Sequence, residues 1–206
     1  KWADEAGIQF RVLNASKGPA VRARRAQMDR DTYLTAAKRD MFAQPNLAIW
    51  QDMVTDILAE DGRVVGIRTQ LGKEFYAPHV LLTTGTFLCG LVHVGLTHYS
   101  AGRFGDSAAM QLSDSLRSLG LELGRLKTGT TPRILGSTID FDALEAQYGD
   151  NPPQKFSFTG PGPKLPQVPC WISWTNQNTH DIIRSGLDRS PLFTGIITGV
   201  GARYCP

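Results

Sequence analysis

Apolar and polar positions alternate most clearly just after Asp61-Gly62, a pair that tolerates the positive φ of a tight hairpin turn. Val64, Gly66, Arg68 and Gln70 interleave with Val65, Ile67 and Thr69, the period of a half-buried strand. Leu71-Gly72 marks a second turn, and Lys73 to Ala77 is expected to run back as a partner strand. Val80-Leu81-Leu82 is apolar at consecutive positions, which predicts a strand buried on both faces, as parallel strands under helices are. It stops at Thr83-Thr84-Gly85-Thr86, small residues that let a backbone or a ligand come close. A hairpin feeding such a strand suits a dinucleotide-binding flavoprotein, with the ligand at the strand's carboxyl end. On this stretch alone the plainer reading, any α/β sheet strand with a glycine at its exit, is the favoured one.

Upstream, residues 8–13 alternate like a strand, and Asn14 to Pro19 is a loop broken by Gly18-Pro19. From about Ala26 to Ala43 the period is helical, with Tyr33, Leu34, Ala37 and Met41 on one face and Pro45 as the stop. Arg22, Arg24 and Arg25 then fall at the start of that helix, where cations oppose its dipole. Three arginines there ask for an anionic partner, which could be a carboxylate of this protein, a cofactor phosphate or RNA. Leu47 to Trp50 predicts a short strand, and Met53 to Ala59 leads into the Asp61-Gly62 hairpin. The order strand, helix, strand, hairpin, buried strand predicts part of a doubly wound α/β sheet. Its glycine-rich first turn, GxGxxG, is nowhere in this chain and is expected upstream of Lys1.

After Gly90 the pattern changes. Met110, Leu112, Leu116 and Leu119 give a helix with one buried side, started by Asp106 as cap and ended by Gly120. Arg103 and the glycines before it could hold a phosphate or a flavin edge, although a plain helix cap leaves the same signature. Leu121 to Leu126 reads as a strand, followed by the hydroxyl-rich basic loop Lys127 to Arg133. Asp140 is expected to cap a helix from Phe141 to Tyr148, and 151–169 to form a long surface loop. Trp171 to Thr175 predicts an aromatic strand and Asn178 to Ser185 a short helix closed by Gly186. The closing stretch carries Gly195, Gly199 and Gly201, a backbone that must bend tightly or admit something close.

Charge refines this picture. The net charge is only +3, yet residues 1–40 hold nine Lys/Arg against five acids. A basic stripe can meet phosphates, and so can a merely solvated face carry one. No apolar run reaches membrane-spanning length and no signal peptide is visible. The chain begins at Lys1 without Met and stops at Cys205-Pro206, so an internal piece of a longer protein is expected. Cys89, Cys170 and Cys205 form neither a disulfide framework nor a metal pair, which suits a reducing cytosol. His79, His93, His98 and His180 lack metal-ligand spacing, so no zinc site is expected. Cys89 and Cys170 read as packed thiols. Cys205 follows Arg203 in an irregular glycine-rich segment, where a guanidinium favours the thiolate, so it is either a reactive or a structural cysteine.

Several stretches together carry a closer resemblance: Leu13 to Arg22, Arg25 to Asp29, Thr84 to Leu88, Gly124 to Thr130, Leu187 to Pro191, and Gly199 to Gly201 with Arg203-Tyr-Cys-Pro206. Thr175-Asn176, Thr179-His180 and Ile183 to Ser185 join them in order. The chain resembles the large flavin subunit of the bacterial tRNA wobble-uridine modification enzymes, the MnmG (GidA) family, over essentially its whole length. The resemblance implies an FAD-binding Rossmann-like α/β domain over residues 1–93, incomplete for want of the first turn, and an inserted α/β domain over 94–206. It implies addition of the carboxymethylaminomethyl group to C5 of the wobble uridine, with NADH reducing the flavin and methylenetetrahydrofolate as one-carbon donor. Glycine or ammonium would be the amine source. It further implies a cytoplasmic homodimer working with the GTPase subunit MnmE in a heterotetramer. The piece by itself is expected to be inactive.

Residue by residue, Val54 matches a family FAD contact. Ala109 stands where the family usually has a flavin-contacting Ser, so that contact is weakened or made by backbone. Gly201, Ala202, Arg203, Tyr204, Cys205 and Pro206 match the start of an NAD-binding segment, and Cys205 matches a cysteine implicated in catalysis. A thiolate there could add to the pyrimidine and make C5 nucleophilic, or act as acid/base or structural thiol. Two other readings stand beside this one. The related folate- and flavin-dependent tRNA uridine methyltransferase shares the fold, and a non-catalytic RNA- or partner-binding module could use Arg22, Arg24, Arg25, Lys127 and Arg133.

Overall fold

A computed structural model describes residues 1–201. In chain order the elements are α1 (Trp2–Ala6), β1 (Gly7–Leu13), β2 (Ala23–Met28), α2 (Arg30–Phe42), β3 (Val54–Glu60), β4 (Arg63–Thr69) and β5 (Glu74–Tyr76). There follow β6 (Leu91–Val94), β7 (Thr97–Ser100), α3 (Gln111–Ser118), β8 (Glu145–Gln147), β9 (Cys170–Ile172) and α4 (Gln177–Arg184). The class is α/β, and among the described residues every ladder between strands is antiparallel. The chain divides into two compact units, Lys1–Ile49 with Ile134–Trp174, and Trp50–Arg133 with the chain from Thr175 onward.

In the first unit β1 pairs with β2, placing Phe10 opposite Ala26 and Arg11 opposite Arg25. Phe10 is buried, as its alternation requires. The helix expected from Ala26 instead begins at Arg30, because Ala23–Met28 is drawn into the ladder with β1. Asp29 marks the boundary, accepting the Thr32 N–H at 2.8 Å as a helix cap. Arg24 and Arg25 therefore sit on a strand, with Arg22 just before it, and not against a helix dipole. Polar contacts tie α1 to α2. The Arg39 guanidinium grips Glu5 at 2.8 and 3.2 Å, and Asp40 accepts from Lys1 Nζ (2.6 Å) and Trp2 Nε1 (2.8 Å). The Glu5 and Asp40 bonds hold Arg39 well above its ordinary pKa; bonds from Lys1, Trp2 and Arg39 hold Asp40 well below the carboxylate range. These groups are solvent-screened, so they orient the helix pair more than they stabilise it.

The free edge of β1 is closed by chain that is not strand. Val168 N–H donates to Ile8 O (2.7 Å), Asp150 N–H to Phe10 O (2.8 Å), and Val12 N–H to the Asp150 carboxylate (2.7 Å). Buried Gln9 reaches the same run, donating to Gln147 O at 3.0 Å. The segment 151–169 has no helix or strand, as expected, but it is anchored. Asp4 accepts the N–H groups of Phe156 (2.6 Å) and Ser157 (2.8 Å). The helix expected over 141–148 is a single 3-10 turn, Phe141–Ala143, after which Glu145–Gln147 pairs with Cys170–Ile172.

In the second unit the β3–β4–β5 meander follows the predicted alternation. Asp61 and Gly62 both take positive φ (48° and 73°), the double requirement of a two-residue hairpin turn. Helix α3 covers this sheet, burying Leu112 and Leu116 against Ile57, with Val54, Val64, Ile67 and Leu88 packed around them. It begins at Gln111 without a side-chain cap; Asp106, expected in that role, instead binds the Arg103 guanidinium at 2.9 Å. Val80-Leu81-Leu82 is not a strand, and Leu81 is 87% exposed. An apolar run of this kind needs a neighbour on each edge to become a central strand, and no described residue supplies one. Leu47–Trp50 and Leu121–Leu126 likewise form no strand, apart from a single parallel bridge from Leu126 to Val200. The capping box of α4 is complete, with Asn176 and Thr179 bonded reciprocally.

Two outcomes are expected. Edge strand β3 turns the Ile57 N–H toward α3, where Ser115 Oγ accepts it at 2.9 Å. Ser115→Ala should cost about 1–3 kcal/mol by leaving that donor unpaired, measured as a lower denaturant midpoint, with Ser115→Thr largely retaining stability. For Asp4, burial alone would raise the pKa, but the Phe156 and Ser157 N–H bonds outweigh it and leave the carboxyl below its ordinary value. A depressed folded-state pKa gives stability present above the unfolded value and lost as pH falls through the folded one. Hydrogen-exchange protection factors at Phe156 and Ser157 should fall on acidification through that window, and Asp4→Asn should remove both the protection and its pH dependence.

Candidate functional site

The second unit carries a shallow, open cleft of about 250 Å³ walled by Val54, Ile67, Val80 and Leu112, with Leu81 to Thr84 along its rim. Val54 opens β3 and faces this cleft. The run that leaves it, Thr84 to Gly90, is shaped by local bonds: Phe87 N–H to Thr84 O at 3.0 Å and Gly90 N–H to Phe87 O at 3.1 Å. Ala109 is buried beside it and forms a parallel bridge with Leu88. The Ala109 N–H donates to Phe87 O (2.8 Å), while its carbonyl accepts the Cys89 N–H (2.9 Å). Leu88, the bridge partner of Ala109, packs on the Ile57–Leu112–Leu116 core, as Val54 does.

Two further motifs close on this region. Arg125 donates a guanidinium N–H to Cys89 O at 2.9 Å, tying Gly124 to Thr130 to the end of the 84–90 run. Lys127 N–H in turn donates to Val200 O at 3.2 Å, beside the parallel Leu126–Val200 bridge. A Cβ on Gly201 would lie 2.4 Å from Lys127 O, so glycine is required for the two backbones to lie this close. The structure thus gathers residues 84–90, 124–127 and 199–201, far apart in sequence, into one place. Of the predicted site residues, Ala109 and Gly201 are at this meeting and Val54 lines the cleft, whereas Ala202, Arg203, Tyr204, Cys205 and Pro206 lie outside the described residues.

The other candidates are elsewhere or take other roles. Arg22 and Arg24 belong to the first unit and donate to the carbonyls of Ala15 (2.9 Å) and Lys155 (2.8 Å). Arg25 makes a long 3.5 Å contact to Gln9 Oε1, and Arg133 is exposed. Cys170 is half-buried and its Sγ donates to Gln27 Oε1 at 3.0 Å; Cys89 is half-buried too, at positive φ. His180 bonds Thr175 Oγ1 at 3.1 Å within α4's first turn. The alternation of β6 and β7 did not single out His93 and His98, which face each other across that ladder with rings 5.5 Å apart. Burial, then the nearby His98 and Arg125, keeps His93 below the ordinary imidazole pKa. No group of three or more His, Cys, Asp or Glu is arranged to hold a metal ion among the described residues. None of their helices is long and apolar enough to cross a membrane.

The cleft fits the side of a flat ring system: its walls are aliphatic, and Gly85 beyond the rim takes positive φ with open space where a Cβ would be. A diphosphate cradle of the GxGxxG kind is not in this sequence.

A family model described as "Glucose inhibited division protein A" matches residues 1–206. The chain is 56% identical over 206 residues to the tRNA uridine 5-carboxymethylaminomethyl modification enzyme MnmG of Geobacter sulfurreducens, covering 100% of this chain and 33% of that protein. Among solved structures it is similar to Aquifex aeolicus GidA in the form I crystal, at 44% identity and a TM-score of 0.87, covering 100% of this chain and 35% of that one. The form II crystal gives 43% identity and a TM-score of 0.83, covering 95% and 34%. The chain spans about a third of the length of these relatives.

The meeting of residues 124–127 with 199–201 yields one expectation. Gly201→Ala should force the backbones apart, costing about 1–3 kcal/mol as overpacking and lowering hydrogen-exchange protection at the Lys127 amide. Unchanged protection there would contradict the close approach.

Proposed function

The chain belongs to the glucose inhibited division protein A family, and from that premise we propose that it serves flavin-dependent modification of tRNA, adding the 5-carboxymethylaminomethyl group to the wobble uridine. The 56% identity to an enzyme named for that group supports it over the related uridine methyltransferase. The observation that carries the reading is the gathering of 84–90, 124–127 and 199–201 at one end of the apolar cleft. In that arrangement Val200 and Gly201, which precede Cys205 in sequence, lie against the Leu126–Lys127 backbone.

In this proposal residues 1–93 serve the FAD-binding part and 94–206 the inserted part, with Gly201 to Pro206 opening the NAD-binding segment. Val54, Val80 and Leu112 would flank the FAD ring, and Ala109 would hold the adjoining Phe87–Cys89 backbone in shape. Bound there, FAD supplies the redox capacity of the reaction, with NADH as its reductant and methylenetetrahydrofolate as the one-carbon source. Cys205 acts as nucleophile: its thiolate adds to C6 of the uracil ring, C5 bonds the one-carbon unit as that carbon's bond to the folate nitrogen breaks, and loss of the C5 proton then expels the thiolate and restores the ring. Arg203, two residues away, favours the thiolate. The whole protein works in the cytoplasm as a homodimer with its GTPase partner.

The test is made on the full-length protein. Cys205→Ser should abolish modification of tRNA, a loss of at least about a hundredfold for removal of a nucleophile. The flavin absorbance band should remain as in wild type. Persisting modification would remove Cys205 from the mechanism, and a full-length protein without a flavin band would overturn the flavoenzyme reading itself.

A further inference from the structure

We propose that Arg125 is a positioning residue for the flavin chemistry: by holding Cys89 in a left-handed turn, it keeps the Thr84–Gly90 run in place against residues 199–201. This rests on the reading that the apolar cleft takes the FAD ring, and it names the side chain that fixes the end of the run leaving that cleft.

The backbone at Cys89 is unusual. Among the described residues, those with positive φ that are not glycine are Asn14, Asn46, Asp61 and Cys89. Asn and Asp tolerate the left-handed region, because their short polar side chains bond locally within it. Cysteine has no such advantage, so Cys89, at φ 48°, is strained. It is the third residue of the turn Phe87 to Gly90, closed by the Gly90 N–H on Phe87 O at 3.1 Å. Where that place in a turn has positive φ, glycine or asparagine is the usual occupant. Strain of this kind persists only where the surroundings hold it, and it gathers where backbone geometry serves function.

Two distant residues hold it. The Ala109 carbonyl accepts the Cys89 N–H at 2.9 Å, and the Arg125 guanidinium donates to the Cys89 carbonyl at 2.9 Å. Both backbone polar groups of the strained residue are therefore fixed from outside its own turn. Before it, Leu88 packs on the core whose Leu112 also walls the cleft, and Thr84 stands on the rim. After it, β6 begins at Leu91. A relaxed φ at Cys89 would re-aim one of these two stretches against the other. Arg125 is also where the second motif joins. A Cβ on Gly199 would stand 3.2 Å from Arg125 Cγ, so the arginine stem lies close under that glycine. The next residues, Leu126 and Lys127, meet Val200 through the parallel bridge and the 3.2 Å N–H bond. One arginine thus holds the 87–90 turn with its head, while its stem and the backbone after it carry residues 199–201.

The experiment uses full-length protein carrying Arg125→Met, which keeps the stem and removes the donors, Arg125→Lys, and Arg125→Met combined with Cys89→Gly. Arg125 is exposed, so its replacement should leave the thermal midpoint unchanged. In flavin-free protein, Arg125→Met should lower hydrogen-exchange protection of the Gly90 amide. Adding Cys89→Gly should recover it, because glycine takes positive φ without strain. With flavin bound, the absorbance band of Arg125→Met should match wild type. Its limiting rate of flavin reduction at saturating NADH should fall by about 10- to 100-fold, the cost of displacing reacting groups by up to ~1 Å, with KM for NADH little changed. Arg125→Lys, which keeps a donor, should restore part of that rate. Cys89→Gly should raise it by at least about twofold, the low end for coupled neighbours. A limiting rate in Arg125→Met within about twofold of wild type overturns the proposal, as does a loss that Cys89→Gly leaves untouched or an unchanged Gly90 protection. Loss of the flavin band in step with the rate also overturns it, marking Arg125 as a residue for flavin retention. Wild-type protein without flavin, or with flavin that NADH does not reduce, overturns the flavin reading and this inference with it. That failure is seen on wild type alone, whereas failure of Arg125 is seen only in the variants.

Discussion

A strand has two hydrogen-bonding edges, and in sheets of two or three strands most of them face outward. The organisation of this chain follows from how those edges are satisfied. β1 has β2 on one side, and on the other Asp150 and Val168, which meet its backbone with a carboxylate, an N–H and a second N–H. β3 is an edge of its sheet, and a serine hydroxyl from α3 takes the N–H of Ile57. Unpaired buried backbone groups cost about as much as a lost hydrogen bond, so these contacts decide where the irregular segments must lie. The irregular run between Asp150 and Val168 and the helix that walls the cleft are both positioned by this requirement.

The same rule explains what could be read in the sequence. The meander of β3, β4 and β5 was legible because alternation and Asp61-Gly62 are local signals, and the strand over residues 8–13 was legible for the same reason. Ala23–Met28 was not. Alanine, arginine, glutamine and methionine are good helix formers, and only pairing with β1 makes them a strand. Val80-Leu81-Leu82 shows the converse: the apolar run is plain, but a strand is a property of its neighbours as much as of itself. Asp106 has the composition of a cap, yet it is taken by Arg103 three residues earlier.

The candidate site was legible as motifs and not as a place. Val54, Ala109 and Gly201 came from resemblance, residue by residue, with nothing in their spacing to join them. Their grouping depends on the Leu88–Ala109 and Leu126–Val200 bridges and on the Arg125 contact to Cys89, all between residues distant in sequence. Periodicity describes one element at a time, so contacts of this kind stay invisible to it. The glycine at 201 was noticeable; that its missing Cβ makes room for the Lys127 carbonyl was not.

The first compact unit is assembled from Lys1–Ile49 and Ile134–Trp174, with residues 50–133 intervening. Bringing those two stretches together closes a loop whose entropic cost is about 4 kcal/mol on a simple chain-length scaling. On a ribosome this sets an order of events. While residues 50–133 emerge, β3, β4, β5 and α3 already have one another, so their core can form from contiguous chain. β1 emerges before the other described strands, and its second edge stays open until Asp150 and Val168 have been made.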